Sequence, residues 1–126
     1  MSRVSSILVE RVGSESKQVL LHGDLHHENI ICASRDPWLA IDPKGLMGDP
    51  PFNAGSMLIH LKPKQKIENP KLIISRKVEI LTEMLDYDRE TISAWGYATP
   101  VLAACFSSDD DISWISWTME MADSLK

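Results

Sequence analysis

The sequence predicts an α+β fold that is mainly helical, with one small β-hairpin set among the helices. Three observations carry this. Apolar residues recur at helical spacing in the first dozen residues and again through most of the chain beyond Phe52. Between those regions lie three short apolar runs, residues 18–21 (QVLL), 29–33 (NIICA) and 38–41 (WLAI), the last two separated by the turn-forming residues Ser34, Arg35, Asp36 and Pro37. A chain of 126 residues, 44% of them hydrophobic, is one domain's worth with enough length for a modest core.

Each element has its own signal. Residues 2–12 place Val4, Ile7, Leu8 and Val12 on one stripe, the spacing of an amphipathic helix. The runs at 29–33 and 38–41 pair as a hairpin, and the loop before it, residues 22–29, enters the first strand. Residues 46–51 contain glycine and two prolines and read as a loop, followed by a helix over 52–61. Lys62, Lys64 and Lys66 with Pro63 read as a solvated basic linker, although such a cluster could also meet phosphate.

Asn69 before Pro70 is a cap followed by a first-turn proline, and the helix beyond it carries Ile74, Val78, Leu81 and Leu85 on one face. Asp88 opens the next helix, which runs through Ile92, Trp95 and Val101 with a kink or break expected at Pro100. Asp109, Asp110 and Asp111 lead a last helix, where acidic residues favour the dipole. That helix is apolar on two sides, through Ile112, Ile115, Met119 and Ala122 and through Trp114, Trp117, Met121 and Leu125, so it must be covered on two sides. Cys32 falls in a strand and Cys105 in an apolar helix, with no CxxC spacing; both are expected to be free, buried thiols.

The chemistry concentrates in HGDLHHEN, residues 22–29, and in IDPKG, residues 41–45. A base aspartate two residues after a histidine, then leucine, then an asparagine five residues after the aspartate is the spacing of a phosphoryl-transfer loop. His22, Asp24, Leu25 and Asn29 fill those places, and Asp42 follows eighteen residues after Asp24. Such a loop aims one carboxylate at an acceptor hydroxyl and an amide oxygen at the metal that bridges the nucleotide phosphates. Asp24 is therefore the candidate catalytic base, and Asn29 and Asp42 are the candidate ligands of a magnesium ion. The hairpin should deliver all three to one end of its sheet.

HGDLHHEN, IDPKG and GDPPFN, residues 48–53, resemble the aminoglycoside phosphotransferase type of kinase, especially the branch that groups streptomycin kinases with hydroxyurea-resistance kinases. The resemblance implies a protein-kinase-like fold, of which residues 1–126 would be the C-terminal, catalytic-loop lobe. It implies transfer of the γ-phosphate of ATP, with Mg2+, to an alcohol group of a small molecule such as an aminoglycoside or hydroxyurea. Residues 2–12 then resemble the end of the long helix beneath the kinase catalytic loop. Gly23 stands where protein kinases carry the arginine that pairs with an activation-loop phosphate, which points to a small-molecule kinase. His22 and Asn53 become loop-bracing residues. Asn53 stands where this type usually has an aspartate, keeping the size and one acceptor while losing the charge.

The same resemblance makes His26, His27, Asp109, Asp110 and Trp114 candidates for substrate binding, with the acids facing ammonium groups. Only twenty-one residues precede His22, the six glycines nowhere form GxGxxG, and no lysine stands in a VAIK-like strand before the loop. The nucleotide-binding N-terminal lobe is therefore expected to be absent and the isolated chain to be inactive. The surface it leaves, around Trp38 and Ile31, should be apolar and promote self-association.

Three other readings remain open. The chain could be a non-catalytic remnant that binds a ligand or partner. Alternatively His22, His26 and His27 with Asp24 could be ligands of zinc or iron in a metallohydrolase, or the loop residues could simply pack, bond and cap their own backbone. A net charge of −5 disfavours a nucleic-acid partner. No basic-then-apolar leader and no membrane-length apolar stretch occurs in the sequence, so the expected location is cytoplasmic, away from membranes.

Overall fold

The computed structural model describes residues 3–13, 17–59, 68–106 and 112–125. Helix α1 (Arg3–Gly13) leads to strand β1 (Val19–Leu21), then to a 3-10 turn (His27–Asn29) and strands β2 (Ile30–Ile31), β3 (Leu39–Ala40) and β4 (Leu46–Gly48). Four helices complete the chain order: α2 (Phe52–Ile59), α3 (Pro70–Leu85), α4 (Arg89–Phe106) and, after undescribed residues, α5 (Ile112–Asp123). The fold is α+β and mainly helical. The basic linker at 62–66 and the acidic run at 109–111 lie outside the described residues.

The strands form two small antiparallel ladders instead of one hairpin. β2 and β3 pair as expected, Ile30 opposite Ala40 and Ile31 opposite Leu39. The other ladder corrects the sequence reading: residues 46–48 are a strand, paired with β1 so that Leu21 lies opposite Leu46 and Val19 opposite Gly48. Glycine and proline nearby suggest a loop, yet β1 offers a free edge whose backbone groups need partners. Long-range pairing overrides local propensity there. Leu21 is buried while Leu20, one residue away, is exposed, as the two-residue period of a strand requires.

The helices make the core. Ala54 and Leu58 of α2, Ile74 and Val78 of α3, Ile92 of α4, and Met121 and Ala122 of α5 are buried together, with Leu81, Tyr87, Tyr97, Trp117 and Leu125 packed around them. The spacing of four residues within α2 and α3 puts each pair on one face. Phe52 meets Trp95 edge to face, with ring centres 5.6 Å apart. α2 and α4 approach closely because glycine faces each side: a Cβ on Gly55 would clash with the Thr99 hydroxyl and lie 2.5 Å from the Trp95 carbonyl oxygen. A Cβ on Gly96 would lie 2.7 Å from Leu58 and from Leu125 side-chain carbons.

Helix ends follow the sequence signals. Asn69 caps α3, its side chain accepting from the Leu72 N–H at 3.3 Å, and Asp86 ends the helix in the left-handed conformation. The two carboxylate oxygens of Asp88 accept from the Thr91 N–H (2.7 Å) and hydroxyl (2.9 Å), fixing the start of α4. Pro100 does not break α4, which continues to Phe106; a buried position and the packing of α2 alongside outweigh one lost helical bond. Cys32 and Cys105 are free thiols as expected, but exposed and not buried. β2 ends at Ile31, before Cys32, and Cys105 lies in the final turn of α4. Arg11 joins α1 to the remainder, its Nε 3.6 Å from Asp49 and its guanidinium 6.0 Å from the centre of the Tyr87 ring.

Trp38 is 69% exposed, Leu20 73% and Met47 63%, and Ile31 is exposed as well. Leu20 and Met47 are directly opposed in the β1–β4 ladder, so this is a cross-strand apolar pair facing outward. Among the described residues no helix is long and apolar enough to cross a membrane.

Two outcomes test this packing. Gly55→Ala should destabilise the chain by about 1–3 kcal/mol through overpacking, read as a lower urea midpoint at unchanged slope. Asp88 is held below its ordinary carboxylate range, chiefly by the Thr91 backbone hydrogen bond and then by the Thr91 hydroxyl. Its cap therefore contributes fully above the unfolded-state value and is lost as pH falls through the folded one. Asp88→Ala should lower stability by about 1 kcal/mol at neutral pH and by less in acid; an equal loss at both would exclude the charged cap.

Candidate active site

The geometry of the loop is set by Ile41. Its N–H donates to the Asn29 carbonyl at 2.8 Å, extending the β2–β3 hairpin by one rung, and its own carbonyl accepts from His22 Nε2 at 2.7 Å. Since a carbonyl only accepts, Nε2 carries the proton, and Nδ1 is left to accept from the Asp24 N–H at 3.3 Å. The His22 carbonyl in turn accepts from the Lys44 N–H at 2.7 Å, continuing the β1–β4 ladder. One imidazole and one dipeptide thus join both ladders around Asp24, Asn29 and Asp42.

Asp42 is where the chain leaves one ladder for the other. It has φ of 55°, in the left-handed region, and is exposed. Aspartate tolerates that conformation better than most residues, though at a cost. Gly23 has φ of 84°, and a Cβ there would lie 3.1 Å from side-chain atoms of Leu46 and Lys44. The position requires glycine both for its backbone angle and for the close approach of β4. From below, Asn53 in the first turn of α2 accepts from the Gly23 N–H through Oδ1 at 3.2 Å.

Asn29 is buried and its amide nitrogen is committed: Nδ2 donates to the Asp24 carbonyl at 2.9 Å and lies 3.3 Å from His26 Nε2. Its Oδ1 is thereby the oxygen left for a cation. His26 Nε2 also lies 3.5 Å from Asp24 Oδ1, so this ring sits between the candidate base and the candidate ligand. The Asp24 side chain is 40% exposed, open to an acceptor. Sequence reading missed the bridging place of His26; the signal was its three-residue spacing from Asn29, which a 3-10 turn stacks on one side. His27, in the same turn, is exposed and its ring is 6.3 Å from that of His26.

The structure thus brings His22, Asp24, His26 and Asn29 into direct contact, with Asn53 bonded to Gly23 between His22 and Asp24 and with Asp42 next to Ile41. It does not place the other substrate candidates: Asp109 and Asp110 lie outside the described residues, and so does the side chain of Trp114. Among the described residues no three His, Cys, Asp or Glu side chains gather as a metal cluster. Both ring nitrogens of His22 are engaged by backbone, leaving it nothing for zinc or iron.

Residues 4–111 match the family described as aminoglycoside/hydroxyurea antibiotic resistance kinase. The chain belongs to that family. Among similar proteins, streptomycin 6-kinase of Streptomyces griseus is 35% identical over 115 residues, covering 89% of this chain and 36% of that protein. Hydroxyurea phosphotransferase of Kitasatospora aureofaciens is 37% identical over 84 residues, covering 67% of this chain and 23% of that protein. Streptomycin 3''-kinase of Klebsiella pneumoniae is 32% identical over 93 residues, covering 71% and 35%. The chain spans about a third or less of the length of these curated kinases. No solved structure matches it.

The bracing can be tested on the backbone itself. Asn53→Leu should speed hydrogen exchange of the Gly23 amide about tenfold, since a hydrogen bond of roughly 1.4 kcal/mol is lost. Asn53→Asp, which strengthens the acceptor with a charge, should slow it. Equal exchange in all three would show that Asn53 does not hold the loop.

Proposed function

We propose that this chain is the acceptor and metal side of a small-molecule phosphotransferase, the C-terminal lobe of a protein-kinase-like fold. The observation that supports it most is the double engagement of Ile41, which ties the backbone of Asn29 and the side chain of His22 to the residue preceding Asp42. Nothing in packing alone calls for a left-handed aspartate at that junction, and strain of this kind concentrates at functional sites.

In this reading Asp24 orients an acceptor hydroxyl and takes its proton, while its backbone is fixed by His22 and Asn29. Asn29 Oδ1 and the Asp42 carboxylate would hold Mg2+, whose hard oxygen preference fits an amide oxygen and a carboxylate. When bound, the ion neutralises charge developing on the phosphates of ATP. His22 and Asn53 keep the loop in place, so that little reorganisation is needed as transfer proceeds. The acceptor is a small molecule, as the names of the streptomycin and hydroxyurea kinases suggest.

The outward apolar pair Leu20 and Met47, with Trp38 and Ile31, is a surface suited to cover by a nucleotide-binding lobe. Uncovered, it favours self-association, which light scattering across a concentration series would detect. The sequence itself carries neither a glycine-rich phosphate loop nor a strand lysine. These 126 residues by themselves are therefore expected to bind Mg–ADP weakly and to transfer phosphate at most in traces.

Calorimetric titration with Mg–ADP checks the assignment. Asp42→Asn tolerates the same backbone angle and should weaken binding about tenfold or more by removing a charged ligand. Asp24→Asn should leave that binding nearly unchanged while abolishing any residual transfer. Transfer that survives Asp24→Asn would show the chemistry to be wrong.

A further inference from the structure

Beside the catalytic loop, His27, Ile30, Met57, Lys77, Ile80 and Leu81 line a half-open pocket of about 220 Å3. Four of the six are apolar, and the two polar lining groups are an imidazole and an ammonium; among the described residues none is a carboxylate. Lys77, half-buried on α3, donates from Nζ to the Met57 carbonyl at 3.0 Å, and among the described residues it has no ion-pair partner. An ammonium offers three donors, so two remain for a ligand. Burial lowers the Lys77 pKa, the mark of a cation taken from water without a counter-charge.

The pocket lies within reach of the chemistry. His27 is three residues from Asp24, so their Cα atoms are at most about 11 Å apart. The volume falls below the ~300–1,000 Å3 of sites for drug-sized ligands, which suits a small acceptor. A polycationic acceptor would bring like charge to a partly desolvated ammonium in apolar walls. An anionic group would supply the missing partner.

We propose that this pocket is the acceptor subsite and that it takes a small alcohol with an apolar body and a carboxylate, the carboxylate on Lys77 and the hydroxyl toward Asp24. The assignment rests on the phosphotransferase reading and narrows its substrate class. In the step, Asp24 removes the hydroxyl proton, the alcohol oxygen forms a bond to the γ-phosphorus of ATP, and the bond from that phosphorus to the β,γ-bridging oxygen breaks, releasing ADP.

The test compares three probes of one shape and different charge on the full chain: 3-phenyllactate, neutral 3-phenylpropan-1-ol and cationic phenylalaninol, read by the His27 ring resonances. Phenyllactate should bind about tenfold more tightly than the neutral alcohol, the worth of a hydrogen bond to a charged group, and phenylalaninol most weakly. Lys77→Glu should reverse the order. If that variant does not fold, Lys77→Met, which keeps the apolar stem, should abolish the preference. The proposal is overturned if phenylalaninol binds as well as phenyllactate, if no probe moves His27, or if the order survives loss of the Lys77 charge. A parallel Mg–ADP titration read on Asn29 separates the two ideas: a response there without acid binding sinks the acceptor assignment alone, and silence in both sinks the phosphotransferase reading with it.

Discussion

The imidazole of His22 is the contact on which the arrangement of the loop depends. It is held in one tautomer because its two partners are of opposite kind, a carbonyl at Ile41 and an N–H at Asp24. Each bond is worth a net ~0.5–1.5 kcal/mol, small beside the helical core. Their importance is positional. Without them the hairpin loses its ring-mediated tie to the β1–β4 ladder, and the spacing between Asp24 and Asp42 is no longer fixed by a rigid ring.

The helices act one level below. Gly55 and Gly96 let α2 settle against α4, and that position puts Asn53, at the start of α2, under Gly23. Helix packing is thereby transmitted to the loop through the Asn53 side-chain oxygen. Gly23 receives it because only glycine fits a positive φ with β4 so near. An arginine at that place, as in protein kinases, could not be accommodated by this backbone without moving β4.

Local chemistry was legible in the sequence, and long-range pairing was not. The turn at 34–37, the Asn69 and Asp88 caps and the motif spacing all act over a few residues, and they led to the correct hairpin and helix starts. Strand β4 was hidden because its partner lies some twenty-five residues earlier and its own composition speaks for a loop. The exposed Cys32 and Cys105 were misjudged for a related reason: apolar neighbours signal burial, but the ends of short elements are open. The part played by Ile41 is invisible in principle to motif reading, since it is made by backbone atoms. The pocket at Lys77 was equally out of reach, being assembled from the loop, α2 and α3.

The central claim, that one ion is held between Asn29 and Asp42, is most directly tested with manganese, which prefers the same oxygen ligands as magnesium and broadens nearby proton resonances. In the presence of ADP, the first additions should broaden the Asn29 side-chain amide and the Gly23 and Asp42 backbone amides, leave Leu72 and Glu79 of α3 sharp, and lose this pattern in Asp42→Asn. Broadening that begins instead at Glu10, Asp88 and Glu90, which line a separate polar cavity between α1 and α4, with the loop untouched, would contradict the account.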